Sequence, residues 1–229
     1  MPPEDSGQPR HITLIHTVSG LIPLFDDLTK THLPGWQGFN MLDESLLRCT
    51  IRDGSLSKTT SWRLAQMVRS AVDAGAGAVV VTCSSLGPAV DATQPFCPVP
   101  LFRIDEGMAA AAVTMGPRVA VLATLRTTLD PTTDLIRRSG DAAGWTGTVT
   151  AALADGAFQK LALGDAAGHD AMIADHLRRL APTVDVIVLA QASMARALSL
   201  VQDDLHPLPV LTSPELGLQY IAGKLAARP

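Results

Sequence analysis

The sequence predicts an α/β protein of two pseudo-symmetric lobes, each a mostly parallel sheet flanked by helices, with the active site in the cleft between them. Three observations carry this reading. Short apolar runs alternate with helical stretches along the chain, several of those runs are continuous rather than alternating, and the pattern recurs after 108 residues. A continuous apolar strand is one covered on both faces, and in a parallel sheet the helices of βαβ crossovers supply that cover.

Taken in chain order, HITLIHT at 11–17 reads as the first strand and Gly35 to Met41 leads through a second. Residues 59–74 place Trp62, Leu64, Ala65, Val68 and Val72 near helical spacing, and Gly75 and Gly77 stop that helix. AVVVT at 78–82 is a buried strand, a pattern that returns at RVAVLAT (118–124) and VDVIVLA (184–190). Under the 108-residue shift His16 falls on Thr124, Pro23 on Pro131 and Cys83 on Gln191. His16 and Cys83 are 67 residues apart, as are Thr124 and Gln191, and Pro100-Leu101-Phe102 matches Pro209-Val210-Leu211 with one residue of drift. The lobes are read as residues 1–100 and 101–208, with 209–229 packing back on the first. Ligands of open parallel sheets sit outside the carboxyl ends of the strands. Two facing lobes therefore bring the loops around His16, Cys83, Thr124 and Gln191 to one cleft.

Composition narrows the function classes. Apolar residues make up 47% of the chain, charged residues 17% and aromatics 4%, which suits helices on a buried sheet better than an aromatic-rich sandwich. A net charge of −4 and the lack of any basic run argue against nucleic acid as partner. The polar start MPPEDSGQPR has no apolar signal core, and no stretch approaches the ~18 apolar residues of a membrane span. Three cysteines without paired spacing form neither a disulfide framework nor a zinc signature, so a reducing cytoplasm is expected. There is no GxGxxG after the first strand, and no GxxxxGK[ST], GxSxG or HExxH anywhere. Neither a nucleotide cofactor nor a metal is expected.

Cys83 is the residue most suited to chemistry. It sits in VVVTCSSLGPAVD, where a rigid strand gives way to Ser84, Ser85, Leu86 and Gly87. Hydroxyls and the amides of a helix start can hold an anion there, and the same donors would lower the thiol pKa. The competing reading is a buried structural cysteine, common in apolar sheets. Cys49 and Cys97 have no comparable context and read as structural.

With these residues in view, the chain resembles the aspartate/glutamate/hydantoin racemases. The resemblance runs from LIHT at 14–17 through TCSSLG, LATLRTT and VLAQASM to PVLTSPELG. It implies two α/β lobes, each with a Cys-Thr or Cys-Ser motif after a buried strand. It also implies one thiolate that removes the proton α to a carboxylate and one thiol that delivers a proton to the opposite face, without metal or pyridoxal cofactor. A small carboxylate-bearing substrate and a homodimer are further implications. Cys83 matches the first family cysteine, and the second position is Gln191, which cannot act as acid or base. Two other members of the superfamily show the alternatives. Arylmalonate decarboxylases use one cysteine, but in the second lobe; maleate isomerases use their first as nucleophile and keep both.

The remaining candidates are weighed against structural roles. His16 ends the first strand and titrates near neutrality, but a lone strand histidine is as often a hydrogen-bonded core residue. Ser84 and Ser85, with Thr124, Thr127 and Thr128 across the repeat, match family positions that form a carboxylate hole, and Ser193 could add a donor. Thr127 and Thr128 could instead cap a helix beginning near Pro131. Asp43 and Glu44 read as a helix cap. His169 and Asp170 lie near the start of a second-lobe helix and are as consistent with capping or exposure. Arg103 would pair either a distal carboxylate of a substrate or Asp105 or Glu106. The expected activity is a cofactor-independent racemase or isomerase acting at a carbon α to a carboxylate or carbonyl, with Cys83 as base or nucleophile. A single-cysteine decarboxylase or carbon–carbon lyase, or a ligand-binding protein on the same scaffold, are the alternatives.

Overall fold

Eight strands form two four-stranded parallel sheets in the computed structural model, which describes residues 10–205 and 207–227. The polar start at 1–9 lies outside the described residues. The first sheet is built from β1 (Arg10–His16), α1 (Ile22–His32), β2 (Trp36–Leu42), α2 (Glu44–Asp53), α3 (Lys58–Asp73), β3 (Ala78–Val81), α4 (Gly87–Thr93) and β4 (Leu101–Arg103). The second follows with α5 (Glu106–Met115), β5 (Arg118–Ala123), α6 (Arg126–Ala143), β6 (Thr148–Leu153), α7 (Ala157–Ala162) and α8 (Ala166–Leu180). It is completed by β7 (Val186–Leu189), α9 (Gln202–Leu205), β8 (Val210–Thr212) and α10 (Ser213–Ala226).

The strand orders are β2-β1-β3-β4 and β6-β5-β7-β8, so the 108-residue repeat is a repeat of topology. The local sequence explains the elements. All four residues of β3 (AVVV) and of β7 (VIVL) are buried, as expected of inner strands covered on both faces. In β1 the two-residue alternation sends Ile12 and Leu14 to one face and Ile15 to the other. Asp43 caps α2 by accepting the Ser45 N–H at 2.9 Å, and Ser57 caps α3 by accepting the Thr60 N–H at 3.1 Å. Gly75, at φ 94°, turns the chain out of α3 toward β3.

Two expectations are corrected. The helix placed near Pro131 begins at Arg126, because Leu125 is extended and its carbonyl already accepts from Thr128 and Leu129 at 3.1 and 2.9 Å. Pro131 therefore lies inside α6, where the N–H it lacks would have bonded Thr127. The sheet boundaries also differ from residues 100 and 208: β4 (Leu101–Arg103) pairs with β3, and β8 (Val210–Thr212) pairs with β7.

The last helix of each repeat crosses to the other sheet. In α5, Met108, Ala109, Ala112 and Val113 pack on Val119, Val121, Val186 and Val188 of the second sheet. In α10, Leu218, Ile221 and Leu225 pack on Ile12, Leu14 and Val80 of the first. The crossing is close enough to require glycine on both sides. A Cβ on Gly107 would stand 2.2 Å from the Leu216 carbonyl oxygen, and one on Gly217 would stand 2.1 Å from that of Ile104.

Candidate active site

In a sheet of order 2-1-3-4 the order in which strands are added reverses between β1 and β3, and a crevice opens beyond their carboxyl ends. The second sheet has the same reversal between β5 and β7. The loops after all four strands meet at a cleft of about 290 Å³ between the lobes. Thr17 follows β1, Thr82 and Cys83 follow β3, Leu125 follows β5, and Ala190 and Gln191 follow β7. Leu47 of α2 and Phe158 and Leu161 of α7 add apolar wall.

Of the residues expected at the site, the structure brings Cys83, Ser84, Ser85, Thr128, Gln191 and Ser193 together as lining of this cleft. Cys83 is half-buried and precedes a 3-10 turn, Ser84–Leu86. Burial pushes its thiol up from the ordinary range, although the Thr17 hydroxyl and the Ser85 and Leu86 amides favour the thiolate. This corrects the expectation of a lowered pKa: the donors are present, but desolvation outweighs them. Ser85 and Thr128 hydrogen-bond each other across the lobes at 2.7 Å, and the Ser85 side chain also reaches the Cys83 thiol. Gln191 accepts from Thr124 twice, from the backbone N–H at 2.7 Å and from the hydroxyl at 3.0 Å. Thr124 is thereby placed behind Gln191 rather than on the lining. Thr127 also lies off the lining, its hydroxyl buried without a partner among the described residues.

His16 is not at the cleft. Its imidazole is fully buried behind Thr82, with Nε2 2.8 Å from Asn40 Oδ1 and Nδ1 2.9 Å from the Thr82 hydroxyl. The ring packs against Phe25 at 5.5 Å between centroids, and burial lowers its pKa. Strand alternation turns this side chain to α1 and away from the cleft, so it orients Thr82 rather than facing a ligand.

The model of the Asp/Glu/Hydantoin racemase family matches residues 29–221. The chain belongs to this family. Solved structures share its fold. Glutamate racemase from Bacillus anthracis superposes with TM-score 0.75 at 17% identity, over 95% of this chain and 82% of that one. Glutamate racemase from Francisella tularensis in complex with D-glutamate gives 0.73 at 13%, over 95% and 81%. Allantoin racemase from Klebsiella pneumoniae gives 0.65 at 16%, over 95% and 88%. No curated protein matches the sequence. Among the described residues no helix of this racemase-family chain is long and apolar enough to cross a membrane.

The other polar candidates of the family member are engaged away from the cleft. Arg103 is 1% exposed and clasps fully buried Asp105 through two nitrogens, each at 3.0 Å, and Asp91 at 2.8 Å. Asp91 also accepts from Arg138 of α6 at 2.7 Å, which ties the lobes together. Beside this network, burial and the Asp105 carboxylate raise Glu106 to about 6. Asp43 both caps α2 and pairs with Arg63 at 2.7 Å. His169 is fully buried within α8, with Nδ1 2.7 Å from Asp170, which in turn holds Arg196 at 3.1 Å. Reasoning from residue types missed the apolar wall, above all Phe158 and Leu161. It also missed Thr17, whose only signal was its place one residue after the first strand.

Proposed function

We propose that the protein is a cofactor-independent racemase-type isomerase acting at a carbon α to a carboxylate or carbonyl, with Cys83 as the group that moves the proton. The observation that carries this is the position of Cys83 at the β1/β3 crevice, facing hydroxyl and amide donors of the other lobe across the family's cleft. A substrate oxygen held by those donors gains most as charge develops on it, because they are fixed in place and shielded from water. Cys83 Sγ then takes the α-proton on its own face as thiolate, and inversion is completed by a proton from water at the opposite face, because Gln191 has none to give. The three cysteines are free, which fits a reducing cytoplasm.

A second reading is favoured by one feature. Gln191 stands where the repeat would put the partner thiol, and a thiol that burial keeps protonated is suited to giving a proton rather than taking one. In that case loss of carbon dioxide would form the carbanion and Cys83 would protonate it from one side. Turnover in deuterated water separates the two. A racemase washes solvent deuterium into recovered substrate, whereas a decarboxylase places it only in product. Cys83→Ala should abolish either reaction. Unchanged turnover in that variant would remove Cys83 from both schemes, and ligand binding without any turnover by the wild type would mark a binding protein.

A further inference from the structure

We infer that the cleft takes a substrate with a single oxygen-bearing head group, a carboxylate or a ring carbonyl, on an apolar body without a second charge, and that the Gln191 amide donates to that head group. The inference rests on the Cys83-centred reading of the cleft and names the substrate class for it.

Every described residue that lines the cleft is uncharged. Its walls are Val18, Leu21, Leu47, Leu125, Phe158 and Leu161, drawn from both lobes. The charged residues beside them in sequence are engaged with other groups. Glu44 bonds Ser19 and Arg48 at 3.0 and 3.2 Å, Arg126 faces Asp130 at 3.7 Å, and Lys160 bonds Asp165 at 3.0 Å. Gln191 and the serine and threonine hydroxyls of the lining can hold one carboxylate by hydrogen bonds, whereas a second carboxylate, or an α-ammonium, would lose its water on entering and meet no counter-charge. An unpaired ion in such surroundings is strongly disfavoured. An alkyl or aryl body gains from the same walls.

The polar end is selected by Gln191. The Thr124 backbone N–H can only donate, so the amide atom it meets at 2.7 Å must be the oxygen. Oε1 also accepts the Thr124 hydroxyl at 3.0 Å, so its two lone pairs are both used. The two Nε2 hydrogens have no acceptor among the described residues, and Gln191 lines the cleft. They are the amide's available donors there, suited to an acceptor oxygen and unable to deliver a proton outright.

The test reads occupancy rather than turnover: the rate at which iodoacetamide labels Cys83 in the full chain, followed by peptide mass spectrometry. Two matched pairs of probes differ only in the distal group, 4-methylpentanoate against succinate, and 5-isobutylhydantoin against hydantoin-5-acetate. Within at least one pair the apolar member should protect Cys83 at a concentration at least about tenfold lower than its charged counterpart. Gln191→Glu keeps both acceptor contacts to Thr124 but has no donors. It should weaken protection by the better apolar probe about tenfold or more, in protein that circular dichroism shows to be folded. Equal or better protection by the charged members, no protection by any of the four, or full protection in Gln191→Glu would overturn the inference. If an apolar probe protects but no carbon acid exchanges its α-proton, the binding assignment stands and the catalytic reading falls. If aspartate or glutamate exchanges as fast as an apolar carbon acid, the substrate class falls while the role of Cys83 stands.

Discussion

Arg103→Met removes a guanidinium that is 1% exposed and holds two carboxylates at once. Asp91 keeps Arg138 at 2.7 Å and is partly open to water, so its share of the loss is small, about 1 kcal/mol or less. Asp105 is fully buried, and Arg103 is its only ion-pair partner among the described residues. Breaking a buried pair from one side typically costs about 3–5 kcal/mol, because the remaining charge is stranded in a dry interior. At about 2–4 °C per kcal/mol for a chain of this size, the melting temperature should fall by roughly 6–20 °C. Urea unfolding followed by circular dichroism gives the free energy, and a thermal scan gives the shift. The control is Arg103→Met with Asp105→Leu, which removes both charges and should recover most of the loss, since apolar residues of similar volume replace buried pairs at little or no cost. A single variant that loses less than about 1 kcal/mol, or a double variant no more stable than the single, would refute the reasoning.

Other perturbations test neighbouring points. Gly107→Ala drives a Cβ to within 2.2 Å of the Leu216 carbonyl oxygen, and the overpacking should outweigh the gain in helix propensity and leave a net loss of about 1–2 kcal/mol in urea unfolding; a more stable variant would contradict the close crossing. Glu106 has its folded pKa raised from 4.5 to about 6, so its charged form is penalised above pH 6 and the penalty fades as pH falls toward 4.5. Glu106→Gln should therefore be more stable than the wild type by about 1 kcal/mol at pH 7.5 and equal to it near pH 4.5; a constant difference at both values would disprove the assignment. Because burial raises the Cys83 thiol, its labelling by iodoacetamide should still accelerate beyond pH 9. A rate that levels off below pH 8 would show a thiol activated by its donors instead.

Strand positions were legible because parallel strands must be continuously apolar, and AVVV and VIVL leave little else to be. The pairing of Cys83 with Gln191 across the molecule was legible for a related reason: the repeat carries both to the same point of the same topology. The side chains on either side of those points were harder. At His16 the strand end was foreseen, but the direction of the imidazole depends on Phe25 and Asn40, which come from other elements. The start of α6 was hidden because Pro131 offers a stronger helix-start signal than Leu125, whose extended backbone alone sets the first turn. The Cys83 pKa was misjudged for an energetic reason. The sequence names the donors around a thiol, whereas desolvation is a property of everything that packs over it.

Because α5 covers the second sheet and α10 the first, severing the chain just after α5 would strip a lid from both halves at once. Ile12, Leu14 and Val80 would face water in one fragment, and Val119, Val121 and Val186 in the other. Neither half is a domain in the sense of a unit that can stand alone, yet each fragment carries the piece the other lacks. Mixed, they should complement each other, and the intact chain should melt in a single step.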